Sequence, residues 1–182
     1  LQQVHDRAQV FVDGEYQGVI YRNDAESPIT LEFGPGEHRL DLLVENMGRV
    51  NYGPELHDRK GITEGVRLDR QFLFNWTIYT LPLDDLSGLT FTTDAPIVGP
   101  AFYHGAFTVD TPTDTFLALP GWTKGVCFIN GFNLGRYWEI GPQRTLYVPA
   151  PLLKEGRNEI TVFELHGVGE PVVEFRDHPE IG

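Results

Sequence analysis

Cysteine is almost absent from this chain: Cys127 stands alone among 182 residues, which excludes an intrachain disulfide and the four-cysteine zinc and redox frameworks. Positive charge is scarce as well. With 14 Lys and Arg against 26 Asp and Glu, the formal net charge is −12, so the protein's own field opposes a nucleic acid or an anionic membrane face as partner. No apolar run approaches the roughly 20 residues that span a bilayer, and the N-terminus lacks the basic, apolar, small-residue order of a signal peptide. Helical periodicity is missing too, with only Pro151–Glu155 suggesting one short turn. His5, His38, His57, His104, His166 and His178 form no HxH or HxxxH pair, so neither a metal nor a cofactor is expected.

What the chain does have is 20 Gly, 13 Pro and 12% aromatics, a mix that favours many short strands joined by tight turns. Asp13-Gly14 closes the first strand-like run, Ala8–Val12, as a hairpin turn. Strand pattern continues at Gly18–Tyr21, Ile29–Phe33, His38–Glu45, Gly61–Leu68 and Phe72–Leu81. Residues 84–100 are rich in breakers and read as a linker. Beyond it strands are expected at Ala101–Val109, Thr115–Leu119, Gly125–Ile129, Gly135–Trp138, Thr145–Val148, Asn158–Leu165 and Pro171–Phe175. Domains at 1–83 and 101–182 follow.

The two halves repeat each other. Val10-Phe11-Val12-Asp13-Gly14, with Gly18 four residues on, matches Cys127-Phe128-Ile129-Asn130-Gly131 with Gly135 four residues on. Thr30-Leu31 answers Thr145-Leu146, and Gly36–Leu42 answers Gly156–Val162. Five matched features in one order imply two copies of one β-sandwich. The strands Ala101–Val109 and Asp114–Leu119 that precede the second match would have counterparts at or before Leu1. The first copy is therefore expected to lack its opening strand and to expose an unpaired edge, as in a piece cut from the middle of a longer protein.

The run Gly121-Trp122-Thr123-Lys124-Gly125-Val126-Cys127-Phe128-Ile129-Asn130-Gly131-Phe132-Asn133-Leu134-Gly135-Arg136-Tyr137-Trp138, followed by Gly141-Pro142-Gln143 and Thr145-Leu146-Tyr147-Val148-Pro149, closely resembles the C-terminal portion of family 35 glycoside hydrolases, the β-galactosidases. So do Val4–Gly14 and Leu42–Gly53, and the likeness is strongest to the shorter bacterial members. The resemblance implies two galactose-binding-like jelly-roll β-sandwiches in tandem, following a (β/α)₈ barrel that carries the catalytic glutamates. No part of this sequence matches those glutamates' motifs, so no catalytic residue is carried over. The implied partners are the barrel of the same polypeptide and, through it, galactosides. An independent carbohydrate-binding module and an oligomerisation surface are the other readings.

Paired carboxylates for glycoside hydrolysis would have to come from Glu45, Asp58, Glu164 or Asp84-Asp85, whose spacing shows no convergence. Glu45 and Glu164 end matched strands and read as structural acceptors. Gly14–Gly18 and Gly131–Gly135 read as hairpin loops, since a strand rather than a helix follows each. Asn75-Trp76-Thr77 meets the glycosylation sequon, which a strand setting would leave idle. Trp122, Tyr137, Trp138 and Trp76 are the candidate sugar-stacking platforms. The polar loop Asn46–Gly53 is the stronger candidate site: by resemblance it lies against the barrel mouth, with Tyr52 lining the aglycone side and Arg49 and Asn51 orienting.

Overall fold

A computed structural model describes residues 1–24, 28–92 and 99–181. The chain is all-β, with 46% strand and 3% helix, and divides into two compact units, Leu1–Thr80 and Leu81–Gly182. Residues 93–98 of the expected linker lie outside the described residues.

The first unit holds β1 (Gln2–His5), β2 (Arg7–Val12), β3 (Glu15–Tyr21), β4 (Leu40–Glu45), β5 (Gly61–Leu68) and β6 (Gln71–Leu73). They form two antiparallel sheets, ordered β3-β2-β4 and β1-β5-β6. The second unit holds β7 (Ala101–Val109), β8 (Thr115–Ala118), β9 (Lys124–Ile129), β10 (Phe132–Trp138), β11 (Thr145–Val148), β12 (Gly156–Glu164) and β13 (Glu174–Arg176). Its sheets run β10-β9-β12-β7 and β11-β8-β13.

The repeat is carried into three dimensions by three strands of each unit, β2, β3 and β4 answering β9, β10 and β12. Asp13-Gly14 and Asn130-Gly131 both place two consecutive residues at positive φ, 53° and 87° in one turn and 50° and 81° in the other. That is the geometry whose twist matches paired strands. Each hairpin then has a register shift at the same place, between Val10 and Phe11 opposite Gly18, and between Asn133 and Gly135 opposite Cys127. Each basic residue at the start of the hairpin is buried beneath an aromatic ring at its end. The Arg7 guanidinium carbon lies 5.6 Å from the Tyr21 ring centre and the Lys124 ammonium 4.5 Å from that of Trp138.

Several expectations need correction. Gly14–Gly18 and Gly131–Gly135, expected as hairpin loops, are loops only at Gly14 and Gly131, and their other residues belong to β3 and β10. Ile29–Phe33 forms no strand, and of Phe72–Leu81 only Phe72 and Leu73 pair; apolar composition without a partner edge does not make a strand. The sequon residue Asn75 therefore lies outside any strand and is exposed.

The second unit's core gathers Leu117, Trp122, Cys127, Ile129, Tyr137, Leu146, Val148, Ile160 and Val162. Burial pushes the Cys127 thiol up to about 12, so this lone cysteine is an inert core residue. Gly125 lies where β9 meets β12 so closely that a Cβ would fall 1.8 Å from the Phe163 carbonyl oxygen and 2.7 Å from the Tyr137 hydroxyl. Gly131, at φ +81°, has open space around it. Gly125→Ala should therefore cost more than about 3 kcal/mol, beyond the usual overpacking range. Gly131→Ala should cost only the roughly 1–2 kcal/mol of a left-handed alanine. Urea unfolding monitored by tryptophan fluorescence distinguishes them, and equal midpoints would contradict the close approach.

Candidate functional site

The loop 46–53 leaves the end of β4 and is tied at its base. The Asn46 side-chain oxygen accepts the Gly48 N–H at 2.8 Å, and the Asp6 carboxylate accepts the Met47 N–H at 2.9 Å. Gly48 and Gly53 take φ values of 114° and 90°, which a side-chain-bearing residue adopts only under strain. Beyond this anchor Arg49 and Asn51 are exposed. The Tyr52 side chain is 88% exposed.

Asp6, between β1 and β2, organises a network that no spacing in the sequence announces, because its partners lie up to 54 residues away. Lys60 Nζ reaches both its oxygens at 2.8 Å, and Arg22 Nη1 lies 3.5 Å from one of them. Asp58 completes the cluster, paired with Arg22, with Lys60 at 3.4 Å and with His5 Nδ1 at 2.8 Å, while Glu55 takes the other guanidinium nitrogen. Burial alone would raise the Asp6 carboxyl. Hydrogen bonds from Lys60 and the Met47 N–H, with the Lys60 charge and Arg22, outweigh it and hold Asp6 below its ordinary value. Asp58 is lowered in the same way, burial being overcome by Arg22, His5 and Lys60. Gln3, His5, Arg22, Asn23, Pro54, Glu55, His57 and Asp58 line a polar groove beside the loop.

The other candidate carboxylates have structural partners. Glu164 is fully buried and accepts the N–H groups of Thr123, Lys124 and His166 at 3.0, 3.3 and 2.9 Å and the Tyr137 hydroxyl at 2.8 Å. Glu45 stands opposite Arg7, whose Nη1 is 3.4 Å away. The two are not register equivalents, however: Glu45 pairs with Arg7, whereas Lys124, the counterpart of Arg7, accepts the Leu165 N–H through its carbonyl. Val44 therefore occupies the position of Glu164. Asp85 accepts the Ser87 N–H at 2.8 Å. Asp6, Asp13, Asp58, Asp85, Asp114 and Asp177 are all displaced downward, the reverse of what a general acid requires. Among the described residues, no group of three or more His, Cys, Asp or Glu is arranged to hold a metal.

The structure separates the candidate platforms. Trp122 is 3% exposed and Tyr137 5%, and both belong to the second unit's core. Trp122 packs edge-on to Tyr103 and donates its indole N–H to Val172 O at 2.7 Å. Desolvation, reinforced by the Glu164 charge, drives the Tyr137 hydroxyl far upward, so it stays protonated and donates to Glu164. As stacking platforms these two are corrected to core residues, because neither offers a ring face to solvent. Trp138 is half-buried, with Lys124 over one face of the ring. Trp76 is tied through its indole N–H to Leu73 O at 3.0 Å.

Comparison with known proteins places these features in context. Residues 1–82 match the family model described as beta-galactosidase, first all-beta domain, and residues 100–158 that described as beta-galactosidase, galactose-binding domain. The chain is 45% identical to a beta-galactosidase of Macaca fascicularis and 44% to that of Homo sapiens, covering 98% of this chain and 30% and 31% of those proteins. Beta-galactosidase 17 of Arabidopsis thaliana is 43% identical over 89% of this chain and 28% of its own length. The chain thus spans about 30% of the length of the curated relatives it matches. All three are eukaryotic, so they lend no support to a particular likeness to bacterial members.

Because Asp6 sits lower when folded than the roughly 3.9 of an unfolded Asp, its contribution is fully present above that value and lost as pH falls through the folded value. Asp6→Asn should destabilise the first unit by about 2 kcal/mol at pH 7, as expected for hydrogen bonds to a charged group. It should also speed exchange of the Met47 amide. Urea titrations from pH 7 to 3 should show the difference between the two proteins shrinking below about pH 4. A constant difference would assign the effect to shape rather than charge.

Proposed function

With the chain homologous to the non-catalytic C-terminal region of β-galactosidases, we propose that it supports the catalytic barrel of such an enzyme and lines the aglycone side of the barrel's site. In this reading residues 1–83 and 101–182 are two jelly rolls joined by 84–100. The parent reaction is retaining hydrolysis of terminal β-D-galactosyl residues by glutamates of the barrel. The observation that carries the assignment is the Tyr52 ring, exposed beyond a loop whose base is fixed by Asp6. A ring presented on a fixed base can stack on the C–H face of a leaving-group sugar without paying to order the loop. Arg49 and Asn51, exposed on the same loop, supply donors that orient that sugar.

The match of residues 100–158 to a galactose-binding domain favours a second reading, a module with sugar affinity of its own. Burial of Trp122 and Tyr137 leaves Trp138 as its platform in the second unit. Titration calorimetry with galactose and lactose separates the readings: saturable millimolar binding lost in Trp138→Ala would establish the module.

The accessory reading predicts that the 182-residue chain shows no turnover of a chromogenic galactoside; turnover comparable to an intact galactosidase would sink it. In the full-length enzyme, Tyr52→Ala should change the ratio of kcat/KM between disaccharides of different linkage by about 3- to 10-fold, the scale of one aromatic contact. The urea midpoint should stay fixed. Unaltered kinetics across several disaccharides would remove Tyr52 from the site.

A further inference from the structure

The polar groove beside the loop 46–53 encloses about 680 Å³, within the roughly 300–1,000 Å³ of small-molecule sites. It is built in two layers, of which the inner one is fixed. Arg22, at the start of the 3₁₀ turn Arg22–Asp24, spans Asp58 and Glu55 and lies 3.5 Å from Asp6. The Arg22 N–H donates to Asp6 O at 2.8 Å and the Asp58 N–H to Glu55 O at 3.0 Å, so the backbone behind the wall is closed on both sides. His5 Nδ1 stands 2.8 Å from both Asp58 Oδ1 and Arg59 O, and its Nε2 3.1 Å from Gln3 Oε1.

The outer layer still has bonding capacity. Asn23 and His57 line the groove and are exposed, and neither side chain hydrogen-bonds to another of the described residues. Glu55 gives one oxygen to Arg22 and Gln3 its oxygen to His5, which leaves a carboxylate oxygen and an amide NH₂ group at the rim. Donors and acceptors therefore meet at one opening. The charges narrow what fits it. Two cations, Arg22 and Lys60, are already held by three carboxylates, Asp6, Asp58 and Glu55. An anion finds neither of those cations unpaired, and a cation would have to displace one of them from its carboxylates. No Phe, Tyr or Trp is among the lining residues, so a nucleobase finds no platform. A neutral polyhydroxylated ligand suits the groove, because each of its hydroxyls both donates and accepts.

We propose that this groove holds a neutral sugar residue of an oligosaccharide substrate, one unit beyond the leaving-group sugar that stacks on Tyr52, and that Asn23 and His57 select for it. The proposal rests on reading Tyr52 as the aglycone ring. Chain continuity joins the two places: Pro54 of the groove comes two residues after Tyr52, so their Cα atoms are at most about 7.6 Å apart. Asp6 joins them a second time. One of its oxygens accepts the Met47 N–H at the base of the loop, while the other faces Arg22 in the groove wall. A saccharide that extends past Tyr52 thus meets a wall already in place, and its binding orders few side chains besides Asn23 and His57.

The test compares, in the full-length enzyme, a galactosyl-terminated trisaccharide with the disaccharide of the same terminal linkage. In Asn23→Ala and in His57→Ala the ratio of kcat/KM, trisaccharide over disaccharide, should fall about 5-fold, the scale of one hydrogen bond. Both side chains are exposed and unbonded within the chain, so the urea midpoint should not move. An unchanged ratio, or a loss of equal size on both substrates, would overturn the proposal. So would inhibition by millimolar inorganic phosphate that disappears in His57→Ala, since the groove would then be an anion site. Tyr52→Ala is read separately, in the ratio between disaccharides of different linkage. If that ratio shifts while chain-length preference survives Asn23→Ala and His57→Ala, the groove fails alone; in the reverse case the Tyr52 assignment fails alone.

Discussion

In each unit a side-chain oxygen at the hairpin tip binds the backbone of the strand beyond it, and the three-strand core of the fold is registered by that bond. Asp13 Oδ1 accepts the Arg39 N–H at 2.8 Å and Asn130 Oδ1 the Glu159 N–H at 2.9 Å, while each residue's own N–H donates to the same partner's carbonyl. The position demands a positive φ and a side-chain oxygen two bonds beyond Cβ, which Asp and Asn satisfy and most residues do not. Once the third strand is fixed, Val10 and Val12, or Cys127 and Ile129, must face one core, and a one-residue slip would turn every one of them outward. The opposite end of the hairpin is fixed with it. There Asp6 gathers its cations in one unit and Glu164 its donors in the other.

The two tips differ in charge, and the difference has a sign. Asp13 also binds His38 Nδ1 at 2.6 Å, an arrangement that raises His38 and lowers Asp13. The His38 share is present below the unfolded value near 6.5 and fades as pH rises through the folded value; the Asp13 share fades in acid. Asn130 instead donates to Leu152 O and Asn158 Oδ1, both at 2.8 Å, a connection indifferent to pH. Both His38 and Asp13 are partly exposed, so screening keeps the ion pair a minor contributor.

The hairpins, the repeat and the strands from Ala101 onward were legible because alternation and Asx-Gly turns are local signals. Ile29–Phe33 and Phe74–Leu81 misled because the same local signal does not report whether a partner edge exists. Trp122 and Tyr137 were visible as aromatics, but which ring of a strand turns inward is decided by register, and register by a bond at position 130. The Asp6 network was not legible at all: His5-Asp6-Arg7 is a short polar run until Arg22, Asp58 and Lys60 are folded beside it. The loop 46–53 could be found by its polarity and glycines, whereas what holds it could not.

One register position shows why the two units stand in different relations to their surroundings. Glu164 brings a charge into the interior and satisfies it with three backbone N–H groups and the Tyr137 hydroxyl. A carboxylate so bonded is stable within its own unit, and removing a donor would leave an uncompensated buried charge. Val44 at the matching place has no polar requirement to meet, only apolar area to remove from water, and area can be covered by any chain that fits. The first solution closes a domain on itself. The second leaves Val44 38% exposed, with its apolar area still in contact with water.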